Sequence, residues 1–206
     1  MQTPEFLFDG PAGAPVRVVL AHGAGAPMDS PFMARFAAGL AARGLAVARF
    51  EFPYMRSRRQ GVRRGPDRQG VLEEAWRAAI AELGGGAGLV IGGKSLGGRM
   101  ASHVADEAGA RGLLCLGYPF HPPGDAERLR TAHLRDLRTP TLIIQGTRDP
   151  FGGREEVAGY ALSPAIRVLW LEDGDHSWKP RRASGHSEGE HLERGIAAAA
   201  DFALGL

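Results

Sequence analysis

Apolar residues along this chain follow two alternating rhythms. VRVVLA, Val16 to Ala21, is a β-branched run that ends in a glycine-rich turn, and SPFMARFAAGLAARG then repeats Phe32, Phe36 and Leu40. The second stretch opens on Ser30 and Pro31, a cap and a first helical residue, and closes on Gly44, so the pair predicts a strand followed by a helix. The order recurs: strand LAVARFEF (Leu45 to Phe52), helix VLEEAWRAAIAEL (Val71 to Leu83), strand GLVIGG, a helix from Leu96 to about Ala108, then strands GLLCLG and TLIIQG. A final strand, IRVLWLE (Ile166 to Glu172), precedes a C-terminal helix carrying Leu192, Ile196 and Ala199. Strands that read as continuous apolar runs with helices between them predict a mostly parallel sheet covered on both faces. No repeat, low-complexity linker or charge break divides the chain, and 206 residues with 44% hydrophobic content suit one compact domain over 1–206.

Composition removes several classes. No apolar run approaches the roughly 18 residues that span a bilayer, and Met1 to Gly10 has neither a basic n-region nor an apolar h-region. The expectation is a cytoplasmic protein with no membrane partner. Cys115, the single cysteine, sits inside LLCL and reads as a buried core thiol. The net charge of +2 is concentrated in MRSRRQGVRRGPDR, Met55 to Arg68, which holds six arginines against Asp67. Without interleaved aromatics or a known nucleic-acid module, this segment reads as a solvated loop, and no nucleic acid is expected to bind. Its arginines leave a strand's carboxyl end, where they would meet an acidic group on a substrate.

GLVIGGKSLGG, Gly88 to Gly98, satisfies two motifs. From Gly88 it spells the phosphate-binding P-loop; from Gly93 it spells G-x-S-x-G, the nucleophile elbow of serine hydrolases. A P-loop needs its strand before the first glycine, yet Leu89, Val90 and Ile91 are themselves the strand, and only GGGA precedes Gly88. In the elbow reading the strand runs into a sharp turn at Lys94-Ser95-Leu96 and a helix follows, with Gly93 and Gly97 letting the two elements approach. Nucleotide binding is therefore not expected. A serine nucleophile needs a base, and the base needs an acid. TLIIQGTRDPF puts Asp149 just past one buried strand, and IRVLWLEDGDHSW puts His176 past the next. Ser, then Asp or Glu, then His is the chain order of α/β-hydrolases, and all three residues fall at carboxyl ends of parallel strands. Asp125 is the rival acid; Asp173 and Asp175 read as shaping the His loop, and His22 as structural. His103, His133, His186 and His191 fall on helix faces or loops. HSEGEH has no convincing ligand spacing, so neither metal nor cofactor is expected.

Through LAHGAGAPMDSPFM, FEFPYMRSRR, GGKSLGGRMAS, GYPFHPPG, IQGTRDPFG and DGDHSWKP, nearly the whole chain resembles a small lid-less α/β-hydrolase of the dienelactone-hydrolase-like kind. Within that kind it is similar to bacterial relatives of testis-expressed protein 30 and of a related animal histone-acetyltransferase complex subunit. The resemblance implies a Ser95, Asp149 and His176 triad. The chain has serine where true dienelactone hydrolases use cysteine, which points away from their substrate. An oxyanion hole in this fold combines the amide after the nucleophile with one from the loop after the third strand. Those are Leu96 and Ala24, with Gly25 as second choice. Caps are commonly inserted after the sixth strand, but 117–140 holds only a loop and one helix, so the site should be open. Met28, Tyr118, Phe120 and His121 are expected near its rim as substrate-binding residues, and Trp178 is a further candidate for the rim.

Two function classes follow. One is a serine hydrolase, a carboxylesterase or thioesterase acting on a small-molecule ester or thioester. The alternative is a non-catalytic α/β-hydrolase scaffold serving as a binding or complex subunit. A homodimer is compatible with either.

Overall fold

The structure, a computed structural model, describes residues 3–206. Met1 and Gln2, part of the expected 1–206 domain and of the leader-free N-terminal reading, lie outside the described residues. The chain runs through β1 (Phe6–Asp9), β2 (Arg17–Ala21), α1 (Pro31–Ala41), β3 (Ala46–Phe50), α2 (Pro53–Arg59), α3 (Gln69–Glu82), β4 (Leu89–Lys94) and α4 (Leu96–Val104). It continues with β5 (Gly112–Leu116), β6 (Thr141–Gly146), α5 (Arg154–Val157), β7 (Ile166–Leu171) and α6 (Glu188–Leu204).

The strands form one seven-stranded sheet in the order β1-β3-β2-β4-β5-β6-β7. All neighbours are parallel except β1, which pairs antiparallel with β3. Side chains alternate between two apolar layers, as strand geometry requires. Leu113 and Cys115 of β5 join Met100 and Val104 of α4 and Leu72, Trp76 and Ile80 of α3 on one face. Leu114 and Leu116 join Phe36 and Leu40 of α1 and Leu192, Ile196 and Ala199 of α6 on the other. Both faces are thus covered, which is why the central strands are apolar throughout.

Four elements differ from the sequence expectation, the short helix α5 among them. β1 is an added edge strand, and the first part of the arginine-rich segment is the helix α2 rather than loop. The expected helix within 117–140 is only a single 3-10 turn, Ala132–Leu134. Among the described residues, no helix is long and apolar enough to cross a membrane.

Candidate active site

The site is built around the end of β4. Ser95 has φ 49° and ψ −111°, outside the usual basins of a residue with a side chain. Its neighbours hold it there: the Ser95 amide donates to Leu116 O at 3.0 Å, and Arg99 N donates to Ser95 O at 3.0 Å as α4 begins. A Cβ on Gly93, at φ 152°, would lie 2.0 Å from Ala21 O, and one on Gly97 would lie 2.3 Å from the same oxygen. The glycines are therefore required by β2's close approach to the turn, and β4 occupies the positions a P-loop would need for phosphate.

The chain ends of β6 and β7 bring two more side chains to Ser95. His176 Nε2 is 2.8 Å from Ser95 Oγ, and His176 Nδ1 is 2.7 Å from Asp149 Oδ2. With a carboxylate on Nδ1, that nitrogen donates and Nε2 is left to accept the serine proton. Burial lowers the His176 pKa below its usual value, opposed by the hydrogen bond to Asp149, so the neutral imidazole prevails at pH 7. Asp149 is 2% exposed and fully engaged: Oδ1 accepts from Phe151 N at 2.9 Å, and Oδ2 also accepts from Gln145 Nε2 at 3.0 Å. Asp125, by contrast, is exposed on the 117–140 loop. The carboxylate at His176 is that of Asp149.

The loop carrying His176 has two non-glycine residues at positive φ, Asp173 at 56° and Trp178 at 67°. Side chains fix it. Asp173 binds Arg148 and Arg181, which holds its carboxyl at about 2, well below the usual range, chiefly through the Arg181 hydrogen bond. Asp175 Oδ1 accepts from Ser177 N and Lys179 N at 2.8 and 3.0 Å, and His191 Nδ1 donates to Trp178 O at 2.7 Å. Asp173 and Asp175 thus shape the loop as expected.

Ala24 and Leu96 flank Ser95 from two sides. Leu96 opens α4, and the loop carrying Ala24 leaves β2, second in the chain and third from the sheet edge. Neither amide has an acceptor among the described residues. Beneath the loop, His22 accepts from Phe52 N through Nε2 at 3.1 Å and lies 2.7 Å from Gly23 O through Nδ1. Burial lowers the His22 pKa, which keeps the acceptor lone pair that the Phe52 bond needs. Tyr54 donates its hydroxyl to Ala24 O at 3.1 Å. His22 is structural, as the sequence indicated.

Ser95 and His176 open onto a cleft of about 490 Å³, also lined by Ala24, Phe32, Met33, Lys94, Phe151, Ser177 and Glu188. The expected rim is corrected here. Tyr118 and Phe120 are fully buried, because Gly117 at φ 72° turns the chain from the end of β5 into the core, where the two rings pack together. His121 is also buried, its Nδ1 2.7 Å from Pro122 O. Met28 is tied by its backbone to Arg49 and Glu51 and does not line the cleft. Trp178 lies behind the wall, edge-on to Phe32 and Phe36. Phe32, Met33 and Phe151 do line it, and the sequence does not reveal them because their placement depends on where α1 and the Asp149 loop dock.

The arginines of the Met55 to Arg68 segment do not line the cleft either. Arg59 forks onto buried Glu51 and reaches Asp29, Arg58 stacks over Tyr54, and Arg64 pairs with Asp67. A shallow depression of about 570 Å³ between Arg58, Val62 and Arg64 contains none of Ser95, Asp149 and His176. A second Ser–His hydrogen bond, Ser102 Oγ to His133 Nε2 at 2.9 Å, lies on the covered side of α4 and outside the cleft. Lys94 was given no part by the sequence, yet its Nζ donates to His176 O at 2.5 Å. Among the described residues, no group of three or more His, Cys, Asp or Glu is arranged to hold a metal.

The family described as "Alpha/beta hydrolase domain" matches residues 14–204. Similar solved structures include a lid-less α/β serine hydrolase from Xanthomonas campestris, 18% identical, covering 95% of this chain and 89% of that one with a TM-score of 0.69. A dienelactone hydrolase from Anabaena variabilis is 21% identical, covers 99% of each chain and has a TM-score of 0.69. The esterase domain of a Rhodothermus marinus protein is 21% identical, covers 94% and 89%, and has a TM-score of 0.65. At these identities the likeness to solved structures establishes the fold.

Proposed function

Because the chain belongs to the alpha/beta hydrolase domain family, we propose that it cleaves an ester or thioester of a small acyl substrate through Ser95, His176 and Asp149. The observation that carries this reading is the unbroken hydrogen-bond chain from buried Asp149 through His176 to Ser95, ending in an open cleft. Ser95 Oγ attacks the acyl carbon as its proton passes to His176 Nε2, and Asp149 stabilises the resulting imidazolium without taking the proton. The imidazolium then protonates the leaving alcohol or thiol, and the acyl group stays on Ser95. Water, deprotonated by the same imidazole, attacks the acyl-enzyme and releases the acid. The Leu96 and Ala24 amides would face the tetrahedral oxyanion, each such donor typically contributing ~3 kcal/mol to the barrier lowering. The Phe32, Met33 and Phe151 walls favour an acyl group with apolar character.

A fluorophosphonate probe followed by peptide mass analysis tests the nucleophile directly. Stoichiometric modification at Ser95, absent from Ser95→Ala, is the expected outcome. A folded protein that never labels would instead favour the scaffold reading.

A further inference from the structure

Lys94 is the last residue of β4 and the immediate neighbour of Ser95. Its stem passes Gly23, where a Cβ would sit 3.5 Å from Lys94 Cγ, and its Nζ passes Gly117, where a Cβ would sit 2.9 Å away. The contact at Gly23 is ordinary packing, whereas Gly117 leaves the room the ammonium needs to reach His176. The ammonium donates to the His176 carbonyl at 2.5 Å and lies 5.8 Å from the Phe32 ring centroid. Among the described residues no carboxylate is paired with it; Asp149 and Asp175 act on it from a distance. A partly desolvated ammonium without a contacting counter-ion is costly, and neutralising it would be the cheap solution in a purely structural position.

We propose that Lys94 is a positioning residue for His176, anchoring the backbone of the base through its carbonyl and bringing a positive charge to its loop. The proposal rests on the serine-hydrolase reading for its catalytic consequence. The anchor is needed because the loop from Asp173 to Trp178 carries positive φ at both ends, so its strain must be offset by contacts. The electrostatic part follows from what surrounds the imidazole. Asp149, from the loop after β6, and Asp175, from its own loop, favour the imidazolium; Lys94, from β4, opposes it. Glu188, at the start of α6, lines the same cleft, and Phe151 covers the ring with centroids 4.3 Å apart. Among the described residues, Lys94 is thus the one cation among the charged groups that act on the base or line its cleft. Burial pulls its own pKa down to about 8, so it remains mostly charged at pH 7, where His176 must be unprotonated.

The decisive measurement is an NMR titration of the His176 imidazole, assigned by its absence in His176→Gln, in wild type, Lys94→Met and Lys94→Arg. Met keeps the length and packing of the stem without the charge. In Lys94→Met the imidazole should titrate about 0.5 to 1 unit higher, as expected for removing a nearby unit charge in a half-solvated site, while Lys94→Arg tracks wild type. The acid limb of kcat/KM on p-nitrophenyl acetate should move with it. An unmoved imidazole titration in Lys94→Met overturns the proposal, as does a uniform loss of kcat/KM at every pH with the limb in place. An unmoved limb with KM raised only for an anionic hemisuccinate ester also overturns it, making Lys94 a substrate contact. The titration requires no turnover, so a shifted imidazole in a protein without esterase activity would remove the hydrolase reading and leave the positioning of His176 standing.

Discussion

If Ser95, His176 and Asp149, which share one hydrogen-bond chain, act as the proposed triad, the effects of removing them should be strongly non-additive. On a short-chain p-nitrophenyl ester, Ser95→Ala and His176→Ala should each lower kcat by ~10⁴-fold or more, with little further loss in the double variant. Asp149→Asn should lose roughly tenfold less, since nucleophile and base survive and only the tautomer and the imidazolium lose support. Activity persisting in folded Ser95→Ala would end the mechanism. Gln145 makes a second test at this scale. Its amide binds Asp149 Oδ2, Tyr118 O and Gly152 O through Nε2 and takes Tyr118 N at 2.7 Å. Gln145→Leu strands those groups in the interior, so unfolding free energy should drop by about 1–3 kcal/mol, and kcat should fall while KM holds; equal stability by urea titration would refute the first part. The convergence of Ser95, Asp149 and His176 is readable in sequence because strand-end loops announce themselves after apolar runs. The sign of Gln145 is also there, a lone amide inside TLIIQG. Lys94 leaves no such sign, since its partner is a main-chain carbonyl 82 positions away.

At the level of elements, the β4–α4 elbow is the part whose geometry local sequence dictates, and it tolerates little change. A methyl on Gly97 meets backbone at 2.3 Å and cannot be relieved by a side-chain rotation. Gly97→Ala should therefore cost about 1–3 kcal/mol or more and displace Ser95, whereas Gly65→Ala, with open space around the new methyl, should match wild type in both melting temperature and kcat. Equal behaviour of the two variants would show that the turn is not set by close packing. The central strands and α1, α3, α4 and α6 were legible because each carries a periodic apolar face matched to a buried layer. β1 was not: it has four residues, Phe8 is 64% exposed, and its pairing with β3 exists only once the sheet is formed. The α2 helix was masked by its arginines, although Tyr54 and Met55 are buried and Pro53 opens it. Segment 117–140 reads as loop plus helix on length alone, but Tyr118 and Phe120 spend that length entering the core.

For the whole molecule, the same burial that keeps the base neutral makes the fold sensitive to acid. His22, His103, His133 and His176 all have pKa values lowered chiefly by burial, His133 to about 4. His133 and His103 also stack with ring centroids 3.8 Å apart, so that protonating both sets two charges face to face. In each case the unfolded chain binds the proton more readily than the folded one. Their contribution is therefore present in full above the unfolded pKa near 6.5 and is lost as pH falls below it. Carboxylates with lowered values, Asp173 at about 2 and Asp106 among them, act in the same direction but only below about pH 4. Acid unfolding should then proceed in two stages, the first assigned to histidine. Urea midpoints measured at pH 7.5, 6.5 and 5.5 should fall across the lower interval and change little across the upper one. His133 is partly exposed, so its share is smaller than the full shift implies, about 1–2 kcal/mol. His133→Asn, which keeps a polar partner for Ser102 without a titrating ring, should flatten the decline between pH 6.5 and 5.5. An unchanged slope in that variant would place the acid sensitivity elsewhere.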